Sequence, residues 1–230
     1  MRRIGKWLVL GLIVVVALGV AGWYFFLKTD PEPRAAITET PVVTDATTTA
    51  SGPDGTWTVK PGTTDNFVGY RVTEKLIANV AQTTATGRTH NVTGTITIDG
   101  TTISDVTITA DLRDLTSDQS FRDGRIRSEG PESDKFPEAK FVLTSPITLG
   151  AVPAVGETVK AEATGDFTLH GVTKSVTISL EGRWDGKQVQ VVGHLPIVFS
   201  DYGITAPTST FVASVDDHGE MELQLFFTKS

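Results

Sequence analysis

The sequence predicts an all-β fold. It is a single antiparallel barrel of eight strands with one or two short helices, preceded by an N-terminal transmembrane helix and a disordered linker. Three observations predict it. Apolar and polar residues alternate in repeated stretches from Trp57 onward, the period of strands with one buried and one wet face. Turn residues such as Asp99-Gly100 and Asp185-Gly186 separate those stretches. One uncharged apolar run, WLVLGLIVVVALGVAGWYFFL from Trp7 to Leu27, stands apart at the N-terminus.

That run opens the first segment, residues 1–28. A helix of this length spans roughly 30 Å, the thickness of a hydrocarbon core. Arg2, Arg3 and Lys6 precede it and predict a cytoplasmic tip. Trp7, Trp23 and Tyr24 sit near its ends, where interfacial aromatics belong. A single-pass signal-anchor in the cell membrane is therefore expected, with the C-terminal domain extracytoplasmic. The alternative is a cleaved secretory signal ending near Ala17, Gly19 and Ala21. Both readings export everything after Lys28. Residues 29–55, rich in Thr, Pro, Ala and Asp without periodicity, form the expected flexible linker.

Residues 56–230 form the third segment, the barrel. Ile96 and Ile98, then Val106, Ile108 and Ala110, alternate with threonines. Phe141 and Leu143 follow, then Phe167 and Leu169, then Val176, Ile178 and Leu180. Met221, Leu223, Leu225 and Phe227 oppose Glu220, Glu222 and Gln224 in the last strand. Turns are expected at Asp99-Gly100, Gly171, Asp185-Gly186 and His218-Gly219. The stretch TSDQSFRDGRIRS breaks the alternation. Its start resembles a capping box, and SFRDGRIRS predicts a short helix, with Pro131 and Pro137 enforcing a loop after it. Closure into a barrel removes the exposed edges so many strands would present, and eight strands leave room for one small ligand.

Composition excludes several functions. No cysteine is present, so disulfides, thiolate metal sites and a thiol nucleophile are excluded. The first 28 residues hold four bases and no acids, leaving 16 bases against 27 acids in the remainder. A body that acidic repels nucleic acid. No nucleophile elbow, phosphate loop or dinucleotide fingerprint occurs, and no enzymatic activity or cofactor is expected. The four histidines, His90, His170, His194 and His218, form no H-x-H or H-E-x-x-H, so no metal site is expected. Asp216-Asp217-His218 is expected to be a solvated turn. By parity His170 continues the outward face of its strand. It bonds a hairpin turn or lies at a ligand mouth. Arg122-Asp123 fixes the helix to the barrel rim or contacts a polar headgroup.

The stretch GDFTLHGVTKSVTISL, Gly165 to Leu180, resembles the hallmark hairpin of the YceI-like polyisoprenoid-binding family. Arg122-Asp123 with Phe136-Pro137 and Lys140-Phe141 resembles that family's R-D…P…F segment, and Trp57 and FSDYGI at Phe199 to Ile204 match its first strand and late loop. The likeness covers residues 56–230. It implies an extended lipocalin-like barrel with an apolar cavity for an isoprenoid or other long-chain lipid. Two departures stand out. Arg125 and Ile126 replace the usual pattern after R-D, and Gly69 to Thr89 is longer and more polar than the family's first hairpin.

On this reading Val106, Ile108, Phe141, Leu143, Phe167, Leu169, Val176, Ile178, Leu180, Leu223 and Leu225 form the cavity wall. Arg122, Asp123 and His170 form a possible polar mouth, and His170 to Lys174 is the hairpin connection. Two functions fit: a membrane-anchored carrier, store or sensor of a long apolar lipid, and a structural or adhesive envelope domain with a filled core.

Overall fold

The computed structural model describes residues 12–22, 31–38, 52–77, 82–206 and 212–230. In chain order the strands are β1 (Gly55–Val59), β2 (Phe67–Leu76), β3 (Gln82–Thr89), β4 (Val92–Asp99), β5 (Thr102–Asp111), β6 (Thr116–Ser117), β7 (Glu138–Leu143), β8 (Ile147–Thr148), β9 (Thr158–Leu169), β10 (Val172–Trp184), β11 (Gln188–Val198), β12 (Val212–Val215) and β13 (His218–Lys229). Helix α1 spans residues 12–22, and α2 spans Ser120–Ser128.

Eight of these strands close a ring in the order β1-β4-β5-β7-β9-β10-β11-β13, with β13 pairing back to β1. Every pairing is antiparallel. The two ends of the ring differ. At one end β13 pairs β1 through Phe227 to Lys229, and Trp57 and Trp184 are buried there. At the other end β2 takes the place of β1 beside β13, through Glu220 to Gln224. Among the described residues β3 then finds only the two-residue β6 on its far side. The segment carrying α2 follows β6 directly, and Arg122 and Ile126 of that helix are buried.

The predicted helix SFRDGRIRS is α2, residue for residue. Its start is not a capping box. Gln119 makes no side-chain cap, and Ser117 instead bonds Asp123 through both its amide and its hydroxyl. The hairpin of β9 and β10 turns on two residues, His170 and Gly171, with φ of 52° and 72°. Left-handed backbone at both central positions is the geometry of a type I′ turn, which matches strand twist. The expected connection therefore shrinks: Thr173 and Lys174 belong to β10. The turn expected at His218-Gly219 does not form: both residues already pair with β11, and β12 runs on into β13 in one direction along β2 through a bend at Asp216-Asp217. In β5 the parity breaks between Ile103 and Val106. Asp105 has φ of 53°, and the register with β4 shifts there, as a β-bulge requires.

Residues 31–38 lie extended along the barrel exterior. Ala35 is buried with Phe67 and Val192, and Ile37 packs against them. α1 covers part of the predicted span 7–27, and its Leu12, Val15, Leu18 and Val20 are well exposed. Among the described residues no helix is long and apolar enough to cross a membrane. Residues 7–11 and 23–27 of that span, and linker residues 29–30 and 39–51, lie outside the described set.

Candidate ligand cavity

The inward faces of the strands line three partly open cavities that succeed one another through shared residues. The first, ≈110 Å³, lies at the tryptophan end between Ile96, Val106, Leu180, Trp184, Val191 and Leu225. The second, ≈50 Å³, is central and shares Ile108, Phe141, Ile178 and Leu223 with the first. The third, ≈140 Å³, lies under α2 and shares Val68 and Met221 with the central one. An apolar cavity of the size of the first stays dry and accepts apolar molecules.

Inward glycines narrow the middle. A Cβ on Gly165 would sit 2.4 Å from the Val142 carbonyl and 2.6 Å from the Phe141 ring, so only glycine lets that ring lie against β9. Gly193 admits Leu180 and Leu223 in the same way. The small central cavity is thus the space left by large side chains folded over bare backbone.

The third cavity is different in chemistry. Tyr70, Val72 and Glu74 of β2 share the inward parity of Val68 and line it with Arg122. Arg122 donates to Glu74 at 2.6 Å and also to Asp118. All three charged side chains are at most one-tenth exposed. Burial pushes the Glu74 carboxyl above its ordinary value, with the Arg122 charge and hydrogen bond pulling it back. Burial likewise pushes the Tyr70 phenol up. The Tyr70 hydroxyl and one Asp118 oxygen are buried without a hydrogen-bond partner among the described residues.

The predicted wall is distributed along this row. Val106, Ile108, Phe141, Ile178, Leu180, Leu223 and Leu225 line the tryptophan-end cavity, Phe167 the central one and Leu169 the polar one. Leu143 and Val176 pack against the core without lining any of the three. Of the predicted mouth, only Arg122 faces a cavity. Asp123 turns to Ser117. His170 lies between the Tyr202 carbonyl at 2.9 Å and Glu132 at 2.7 Å, with Phe136 edge-on at 4.2 Å. It secures the turn to two loops. That bond holds the Glu132 carboxyl below its ordinary range. Tyr70, Glu74 and Asp118 were missed by sequence reasoning. A glutamate on the parity of Val68 and Tyr70 was the available signal. Among the described residues no group of His, Asp or Glu is placed to hold a metal.

A closed antiparallel barrel with apolar cavities along its axis defines a container-type domain. The chain belongs to the YceI-like domain family, whose model matches residues 57–227. It is 31% identical over 143 residues to a UPF0312 protein of Vibrio parahaemolyticus, covering 58% of this chain and 72% of that one. It is 38% identical over 112 residues to a UPF0312 protein of Pseudomonas putida, covering 45% of this chain and only 55% of that one. Among solved structures it resembles a polyisoprenoid binding domain from Saccharophagus degradans, with a TM-score of 0.58 at 18% identity over 76% of this chain and 98% of that one. BcnA of Burkholderia cenocepacia superposes with a TM-score of 0.52 at 17% identity, over 70% and 95% of the two chains. At these identities the structural likeness is one of fold.

Proposed function

We propose that this protein holds a long apolar lipid, a polyisoprenoid or similar amphiphile, in its barrel for carriage, storage or sensing, and that it is not an enzyme. The observation that carries this is the row of three linked cavities, largely apolar with one polar end, a shape suited to a linear amphiphile. The solved relative from Saccharophagus degradans, a polyisoprenoid binding domain, supports it. A filled-core adhesive domain would have no reason to leave space at both ends of its axis.

The polar cluster bears on the headgroup. Arg122 is already matched by two carboxylates, Glu74 and Asp118. A phosphate placed there would add negative charge to a buried, acid-rich cluster. An uncharged hydroxyl or carbonyl beside Tyr70 suits it better. Transfer from water of each isoprene unit would gain about 4 kcal/mol at roughly 0.8 per carbon, but a lipid starts in a bilayer, so exchange is near neutral and reversible.

The chain is further proposed to be anchored through residues 7–27, with the barrel outside the cytoplasmic membrane. The apolar run with its flanking bases supports this, as does the exposed apolar surface of α1. Native mass spectrometry of the purified chain with organic extraction tests the lipid. A prenyl or other long-chain species at one per barrel is expected. A barrel that yields none and takes up no added prenyl alcohol removes the proposal.

A further inference from the structure

Residues 31–38 bind the barrel in one direction. Glu32 lies at the polar end: its amide donates to Thr86 at 3.1 Å, and its carbonyl accepts from Arg71 at 2.7 Å. Arg34 pairs with Glu220. The Ala35 amide then donates to Glu222 at 3.1 Å, and the Thr38 amide to Gln190 at 2.9 Å. Arg183, which lines the tryptophan-end cavity, holds the Thr38 carbonyl. Glu222 has no exposed side chain and is also held by Arg88 at 3.0 Å, whose guanidinium stacks on Phe67 at 3.7 Å. The segment is therefore pinned to the barrel exterior along its length.

Its polarity matters. Only Lys28 to Asp30 separate the apolar run from Pro31. That gap reaches at most about 14 Å, whereas the strap leads away toward the tryptophan end over a contour of up to about 25 Å. A second observation falls at the same end. Ile77, at the tip of the β2–β3 arm beyond the polar cavity, is 64% exposed. The acid-rich body gives no attraction to anionic headgroups, so the tether sets the orientation.

We propose that residues 31–38 are a strap that docks the polar end of the barrel, with Ile77 at its rim, on the surface of the lipid bilayer that holds the chain. Lipid then passes between bilayer and cavity without crossing bulk water. This rests on the proposed anchor.

The absence of cysteine makes the test direct. The full chain is reconstituted in phosphatidylcholine–phosphatidylglycerol vesicles carrying nitroxide headgroups, with a thiol-reactive fluorophore on Ile77→Cys or on Lys187→Cys at the opposite end. Quenching at position 77 is expected to exceed that at 187 several-fold. Replacing residues 31–38 by eight Gly and Ser residues should bring the ratio toward one. Ala35→Pro, which removes the amide held by Glu222 and crowds its seat on Phe67, should lower it in part, and a thermal melt checks each fold. Equal quenching with the strap intact overturns the proposal, as does a ratio unchanged in both strap variants. Failure to float with the vesicles instead removes the anchor itself, and failure to find a lipid leaves the orientation result standing.

Discussion

The two ends of the barrel hold cavities of similar size, yet among the described residues only one is lined by buried charge. At the tryptophan end the wall is mainly Ile, Val, Leu, Phe and Trp, and its one arginine, Arg183, is half-buried and bonds the Thr38 carbonyl. At the polar end Tyr70, Glu74 and Arg122 replace part of that wall. Apolar packing is tolerant of exchange, because one hydrocarbon group of similar volume substitutes for another. A buried ion cluster is not, because each partner removed leaves an uncompensated charge. The polar end is thus where orientation is specified, and the apolar end where length is accommodated.

Removing Arg122 is the strongest way to break this contrast. Arg122→Ala leaves Glu74 and Asp118 buried together without their shared cation. A loss of roughly 3–5 kcal/mol in urea unfolding is expected. Replacement of a lone apolar wall residue such as Val106 by Ala should cost less. A cost for Arg122→Ala below that of Val106→Ala would mean the cluster is solvated and the two ends are alike.

A pair of glycines sharpens the comparison. Gly165→Ala puts a Cβ 2.4 Å from a backbone oxygen at the central narrowing, and a loss of about 1–3 kcal/mol is expected. Gly182→Ala, at the tryptophan end, meets nothing nearer than 3.8 Å and should be close to neutral. Equal melting temperatures for the two variants would show that the Phe141 ring can leave β9.

Much of this architecture was legible in the sequence, for a physical reason. Period-2 alternation reports which face of a strand is buried, and it placed Phe167, Ile178, Leu223 and Leu225 inward. It fails wherever the backbone changes period. The bulge at Asp105 and the turn at His170 are two such places. It also carries no information on partners across the sheet. Asp123 and Arg122 adjoin in sequence, but the helix sends one toward the cavity and the other to Ser117. The docking of residues 31–38 was not legible. A segment without alternation bonds mainly to side chains on the barrel, and that leaves no periodic trace.

Ile178→Trp tests whether the row of cavities is used. Ile178 lies where the tryptophan-end and central cavities meet. In a filled core the indole would cost about 1–3 kcal/mol. With space on both sides, the ligand-free protein should melt near the parent temperature while bound or added polyprenyl lipid is lost. A large fall in melting temperature with no lipid in either protein would favour the filled core.

The smallest expected effects are those of pH, and depth separates them. The buried Glu74 carboxyl is raised from 4.5 chiefly by desolvation. A carboxyl raised in the folded state takes its proton before the unfolded chain does. Stability therefore rises as pH falls through the raised value, and the gain is complete below about 4.5. Subtracting the profile of Glu74→Gln should isolate that rise. His218 is raised from 6.5 by its hydrogen bond to Asp217 at 2.8 Å. Its contribution is present in full below 6.5 and is lost as pH climbs through the raised value. Both side chains are largely exposed, at 65% and 92%, so solvent screens the pair. His218→Asn should leave the melting temperature unchanged between pH 6 and 8, within error. A drop confined to the acid side of that window would show that the Asp217–His218 pair contributes to stability, and that charge matters outside the polar end as well.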